Sequence, residues 1–168
     1  MLLLLNGPPG VGKSTMAARY VADHPFALNL DIDVLRGQLG GWQSDPSRAG
    51  ILARDLALAA ARTHLLSGYD VVVPQFLGRV DFILALEALA SAVGADFVEV
   101  ILLDSKENVL RRFTDRDDPT KAADAAQLST MYDRLTALIA TRPLALTVHT
   151  GGTAETYASL LAALGRRP

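Results

Sequence analysis

The sequence predicts an α/β fold: one domain built on a five-stranded parallel sheet with helices on both faces. Three observations carry that expectation. Short apolar runs alternate with longer segments of helical periodicity from one end of the chain to the other. Runs such as Leu2–Leu5 and Val71–Val73 show no polar alternation, as strands buried on both faces should not. The 168 residues suit one core, and a composition 50% apolar but only 6% aromatic favours helices and small-residue packing over an all-β sandwich.

Leu2–Leu5 reads as the first strand, and residues 12–22 as a helix ended by His24-Pro25. Ala27–Leu30 is the second strand, and a short helix over Val34–Leu39 stops at Gly40-Gly41. The glycine, proline, serine and aspartate between Gly40 and Gly50 read as a loop, with Trp42 shaping a pocket. Ile51–Leu66 follows as a long helix, with Gly68 just past its end. Asp70–Val73 is a β-branched strand that Pro74 terminates. Val80–Val93 is helix, Phe97–Leu103 strand, Lys106–Asp115 helix and Ala122–Ala140 helix. Leu144–His149 is the last strand and Thr153–Leu164 the last helix. In a parallel sheet of this kind, ligands bind at the carboxyl ends of the strands. The loops after residues 5, 30, 73, 103 and 149 should therefore share one face.

The charge and residue usage exclude several classes. Net charge is −2 with both signs mixed, and no basic block points to duplex nucleic acid. No cysteine is present, which removes disulfides and thiolate metal sites. Leu2–Leu5 is too short for a signal peptide and lacks its basic leader, and no apolar stretch approaches the roughly 20 residues that span a bilayer. A cytoplasmic protein with no membrane partner is expected.

Gly7-Pro8-Pro9-Gly10-Val11-Gly12-Lys13-Ser14, followed by Thr15, fills every fixed position of the pattern G-x-x-x-x-G-K-[ST] between a strand and a helix. Glycines let backbone N–H groups close around a phosphate, and the following helix turns its positive end to the same anion. Lys13 then supplies a point charge to the β- and γ-phosphates, and the Ser14 hydroxyl is a ligand for Mg²⁺. ATP and Mg²⁺ are the expected cofactors. The chain has neither an N-K-x-D guanine-reading segment nor an L-S-G-G-Q signature, and it is short for a remodelling ATPase. A small kinase remains.

The second strand runs into Asp31-Ile32-Asp33-Val34-Leu35-Arg36. Phosphoryl transfer to an alcohol benefits from a carboxylate that orients the hydroxyl and takes its proton, which Asp31 or Asp33 could supply. Arg36 lies one helical turn beyond Asp33, so both can face one pocket; helix capping by either aspartate is the plainer alternative. Past the third strand, Gln75 stands where many phosphate-loop proteins carry a metal-binding aspartate, and Gln75 and Arg79 become candidates to contact the acceptor.

The combination G-P-P-G-V-G-K-S-T with D-x-D-x-x-R resembles the P-loop kinases that include polynucleotide 5′-hydroxyl kinase, zeta toxins and chloramphenicol phosphotransferase, with gluconate kinase more distant. The resemblance follows the element order over most of the chain and implies the P-loop NTPase three-layer sandwich with strand order 2-3-1-4-5. It implies that Asp33 is the base, that Arg36 holds the acceptor and that a short lid lies around residues 112–125. The R-x-x-x-R spacing of Arg112 and Arg116 matches the lid helix of such enzymes, in which the first arginine stacks on adenine and the second reaches the phosphates on closure. Thr150-Gly151-Gly152-Thr153 matches the loop that walls the adenine slot, with Gly152 against the nucleotide. The expected activity is transfer of the γ-phosphate of ATP to a hydroxyl of a small molecule. The alternatives are a nucleic-acid 5′-hydroxyl kinase and a nucleotide-binding regulatory or toxin-type protein.

Overall fold

The computed structural model describes residues 1–114 and 125–165, apart from the side chains of 112–114 and 125. Leu2–Asn6 forms β1, the central strand of a sheet whose spatial order is β2-β3-β1-β4-β5. The other strands are Leu28–Asn29 (β2), Val71–Pro74 (β3), Phe97–Leu103 (β4) and Leu146–His149 (β5), and every pairing is parallel. This is the expected topology.

The pleat explains the unbroken apolar runs. Leu2 and Leu4 of β1 point to one face with Val71, Val73 and Ile101, whereas Leu3 and Leu5 point to the other with Val72, Val100 and Leu102. Helices Pro46–Leu66 (α3), Asp81–Ala92 (α4) and Ala125–Ile139 (α6) cover the first face. Helices Lys13–Asp23 (α1) and Thr153–Gly165 (α7) cover the second. On α3 the buried stripe is Ala49, Ala53, Ala57, Ala61 and Leu65, a four-residue repeat of four alanines and a leucine along one helix face. None of the helices among the described residues is long and apolar enough to cross a membrane.

Two helices start earlier than the sequence expectation, both because of a capping aspartate. The helix after the proline-containing segment starts at Pro46 rather than Ile51, so residues 46–50 are helical and only 40–45 remain a turn. Asp45 Oδ1 accepts the Arg48 N–H, and Pro46 occupies the first helical position, where its missing N–H costs nothing. Likewise Ile32–Gly37 (α2) begins two residues early, because Asp31 is its N-cap. At the other end of the chain β5 starts at Leu146; Leu144 is exposed in the preceding turn. Pro74 is the last residue of β3, and the next N–H, of Gln75, completes the ladder by donating to the Leu5 carbonyl at 3.1 Å.

Candidate active site

The carboxyl ends of β1, β3 and β4 carry the loop Gly7–Gly12, the segment Gln75–Val80 and Asp104 onto one edge of the sheet. The first of these has a backbone that only glycine tolerates at its turning points. Gly7, Gly10 and Gly12 have φ of 151°, 84° and 105°. At Gly7 a Cβ would also stand 2.5 Å from the Leu102 carbonyl oxygen and 2.9 Å from Val11 Cγ1. Gly7→Ala is therefore expected to cost about 1–3 kcal/mol of stability and to weaken nucleotide binding together. Gly50→Ala, at an unobstructed helical position, should instead gain about 0.5–1 kcal/mol. Chemical denaturation with a parallel ATP titration separates the two.

The loop delivers the chain into α1 with Gly12 as its N-cap, a residue without a side chain to cap the helix, and the first turn holds no acid. Such an end favours an anion. Lys13 folds back over the loop, its Nζ donating to the Gly7 and Pro8 carbonyls at 2.9 Å each. Ser14 and Thr15 are exposed on the first turn.

Asn6, which the sequence reading passed over, fastens this loop to its neighbour. It is fully buried; its Oδ1 accepts the N–H of Gly7 at 2.8 Å and of Leu77 at 2.9 Å, while its Nδ2 donates to the Leu77 carbonyl at 3.1 Å. The available signal was a polar residue closing an otherwise apolar buried strand directly before the glycine loop. Gln75 is half-buried beside that join, and its Oε1 is buried with no partner among the described residues. An orphaned acceptor there suits a hydrogen bond from a metal-bound water. No three acids or histidines cluster as a metal site among the described residues; the exposed Ser14 hydroxyl could serve as one ligand to a nucleotide-bound Mg²⁺.

The two aspartates after β2 have different surroundings. Asp31 Oδ1 accepts the N–H groups of Asp33 and Val34 at 2.9 and 3.4 Å and so caps α2. The Asp33 carboxylate is exposed and pairs with the Arg36 guanidinium at 3.1 Å. Arg36 in turn lies 5.1 Å over the Trp42 ring, and its Nε is buried without a partner among the described residues. The segment after β3 lines a cleft of about 310 Å³ with Phe76, Arg79, Asp81 and Phe82, joined by Arg54 from α3 and Arg134 from α6. Of the two candidates for contacting the acceptor, Arg79 lines this cleft and Gln75 does not; Arg54 and Arg134 were not singled out, since each reads as an ordinary solvated helix residue until tertiary packing brings it here.

Beyond β4, Asp104 Oδ1 accepts from Ser105 N and Asn108 Nδ2 and so steadies the start of Lys106–Thr114 (α5). Arg112 belongs to the last turn of α5, with its side chain outside the described part; Arg116 and the lid segment 115–124 lie outside the described residues. At the edge of the sheet Thr150 N donates to the Leu103 carbonyl, and the Thr156 hydroxyl accepts from Gly151 N, so the loop holding Gly152 lies next to the end of β4. Gly152 has open space around its Cα. A second cavity, of about 590 Å³, opens between the amino ends of β4 and β5 around Glu99 and Arg142, on the edge opposite the glycine loop.

Sheet order, glycine loop and bare helix terminus together define a protein of the P-loop kinase fold. The chain belongs to the AAA domain family, whose model matches residues 2–138. It is 31% identical over 117 residues to an adenylate kinase of Synechococcus, covering 64% of each chain. It is also 31% identical over 139 residues to a cytidylate kinase of Halobacterium salinarum, covering 76% of this chain and 64% of that one. The chain thus spans somewhat less than two thirds of the length of these relatives. Among solved structures, a gluconokinase from Sinorhizobium meliloti superposes with a TM-score of 0.70 at 20% identity, over 98% of this chain and 91% of that one. A tunicamycin resistance protein from Deinococcus radiodurans superposes at 0.67 with 18% identity, over 98% and 95%. At such identities the structural likeness establishes the fold alone.

Proposed function

We propose that the chain is an ATP-dependent phosphotransferase that moves the γ-phosphoryl group of ATP to a hydroxyl of a small molecule. The observation that carries this reading is the Gly7–Gly12 loop bridged by Lys13 over the uncapped N-terminus of α1. In this reading the loop N–H groups and Lys13 hold the phosphates. Bound Mg²⁺ would neutralise charge on the β- and γ-oxygens, with Ser14 as its protein ligand and Gln75 Oε1 accepting from its water. The acceptor oxygen bonds to the γ-phosphorus as the bond from that phosphorus to the β–γ bridging oxygen breaks. The electron pair leaves on ADP, and the hydroxyl proton passes to the Asp33 carboxylate and on to water. Because the transition state is loose, the main work of Asp33 is to aim the hydroxyl. Arg36, held by Asp33 and Trp42, bonds the acceptor through its remaining N–H groups.

The chain works as one domain with a lid built around residues 112–125. In that lid Arg112 stacks on adenine opposite the loop of Gly152, and Arg116 reaches the phosphates on closure. Arg112→Ala should mainly weaken ATP binding, whereas Arg116→Ala should lower turnover more than affinity. ATP titrations beside steady-state rates decide this; equal losses of affinity and turnover in Arg116→Ala would count against a closing arginine.

A second reading is a phosphate acceptor, as the names of the two nucleotide-kinase relatives suggest, and the arginines of the cleft favour it. ADP release from ATP–Mg²⁺ across a panel of alcohols, sugars, nucleosides, antibiotics and nucleoside monophosphates separates the two. Stimulation by hydroxyl compounds lacking a phosphate supports the proposal; stimulation by nucleoside monophosphates alone replaces it with the second reading.

A further inference from the structure

We infer that the acceptor carries an acidic oxyanion group, a carboxylate or a phosphate monoester, separate from the hydroxyl that is phosphorylated, and that Arg54, Arg79 and Arg134 hold that group in the cleft beside the glycine loop. The inference rests on the kinase reading above and names the substrate class of that site.

Three separate elements, α3, the segment after β3 and α6, each contribute one arginine to the lining of this cleft of about 310 Å³. The sole acid among its lining residues is Asp81, so the wall carries three positive charges against one negative. None of the three arginines pairs with a carboxylate among the described residues. Three cations elsewhere do have carboxylate partners: Arg36 with Asp33, Lys106 with Asp133, Arg142 with Glu87 and Glu99. Like charges gathered without counter-charges repel, modestly at these exposed side chains, and an anionic ligand would relieve that repulsion. Guanidinium groups from several directions suit the planar or tetrahedral oxygens of a carboxylate or phosphate, which they bind in pairs of parallel hydrogen bonds.

The surroundings fit the same ligand. Helix α4 begins on the cleft wall at Asp81, and its N-cap is Val80, which has no side-chain group to bond the first N–H donors. The half-buried rings of Phe76 and Phe82 form an apolar wall, and the Arg54 guanidinium lies 5.8 Å over the Phe82 ring, which limits where it can point. Gly78 lets the backbone run close beneath: a Cβ there would meet Phe76 Cζ at 3.1 Å and Arg134 Cβ at 3.5 Å. Through Leu77 and Asn6 the same segment is bonded to the first residue of the glycine loop, which fixes the span between the two anion sites. An acceptor anchored here by its acidic end presents its hydroxyl at a constant reach. The volume is at the low end for small-molecule sites, so the acceptor is small.

The test follows backbone amides by NMR in the full chain saturated with ADP–Mg²⁺, so that added anions do not compete for the glycine loop. The probes are glycerol, glycerate and glycerol phosphate. Glycerate or glycerol phosphate should shift the Gly78, Arg79 and Phe82 amides saturably while glycerol does not, and the tighter of the two identifies the acidic group. The double variant Arg54→Gln/Arg134→Gln, which alters two exposed side chains, should bind that probe at least about tenfold more weakly with its ADP affinity intact. Equal shifts with glycerol, no shifts with either anion, or undiminished binding in the double variant would overturn the inference. The transfer assay keeps the two proposals apart. Anion binding at these amides with no hydroxyl ever phosphorylated leaves the anion site standing and removes the alcohol-kinase reading. Neutral alcohols used as well as acidic ones, with the double variant indifferent, leave the kinase standing and remove this inference.

Discussion

Lys13→Ala lowers kcat/KM for phosphoryl transfer by about 10²–10³-fold, the loss typical when one donor to developing charge is removed. In the structure the ammonium already lies over the loop mouth, shared between the Gly7 and Pro8 carbonyls, so binding a nucleotide exchanges two loop acceptors for phosphate oxygens. The variant keeps its fold, because the loop shape is set by Gly7, Gly10, Gly12 and the Asn6 hydrogen bonds rather than by the lysine. Rapid-quench transfer rates with an ATP titration measure the effect. Unchanged affinity and unchanged turnover would leave the glycine loop without a role.

Asp33→Asn preserves ATP binding and stability yet lowers transfer by about 10²–10⁴-fold, the range for a lost general base. Asp31→Asn is the paired control. Asp31 spends its Oδ1 on two N–H groups at the start of α2, and asparagine caps a helix nearly as well, so the effect should be slight. Asp33 has an exposed carboxylate whose bond is to Arg36, which an acceptor can share. Steady-state kinetics of both variants with one acceptor decide the matter. An essential Asp31 beside a dispensable Asp33 would keep the site and change the residue; indifference to both would end the base mechanism.

What was legible in the chain was whatever its local pattern dictates. Leu2–Leu5 has to be buried on both faces, and the glycines that follow have to turn at positive φ, so strand, loop and helix start could be read directly. The sheet order came through resemblance, because no local signal places β4 beside β1. Asp45-Pro46 was a helix start disguised by loop-forming composition, and only the hydrogen bond to Arg48 N reveals it. Asn6, Arg54 and Arg134 stayed invisible for a different reason: each acts through a partner distant in sequence, Leu77 in the first case and the shared cleft in the others.

The central claim is that ATP gives its terminal phosphoryl group to an acceptor hydroxyl, and phosphorus NMR of the reaction mixture tests it most directly. With ATP, Mg²⁺ and the acceptor that best stimulates ADP release, a phosphate monoester signal coupled to the protons of the acceptor carbon should grow in step with ADP. A new diphosphate linkage, or inorganic phosphate alone accumulating with ADP, would contradict it.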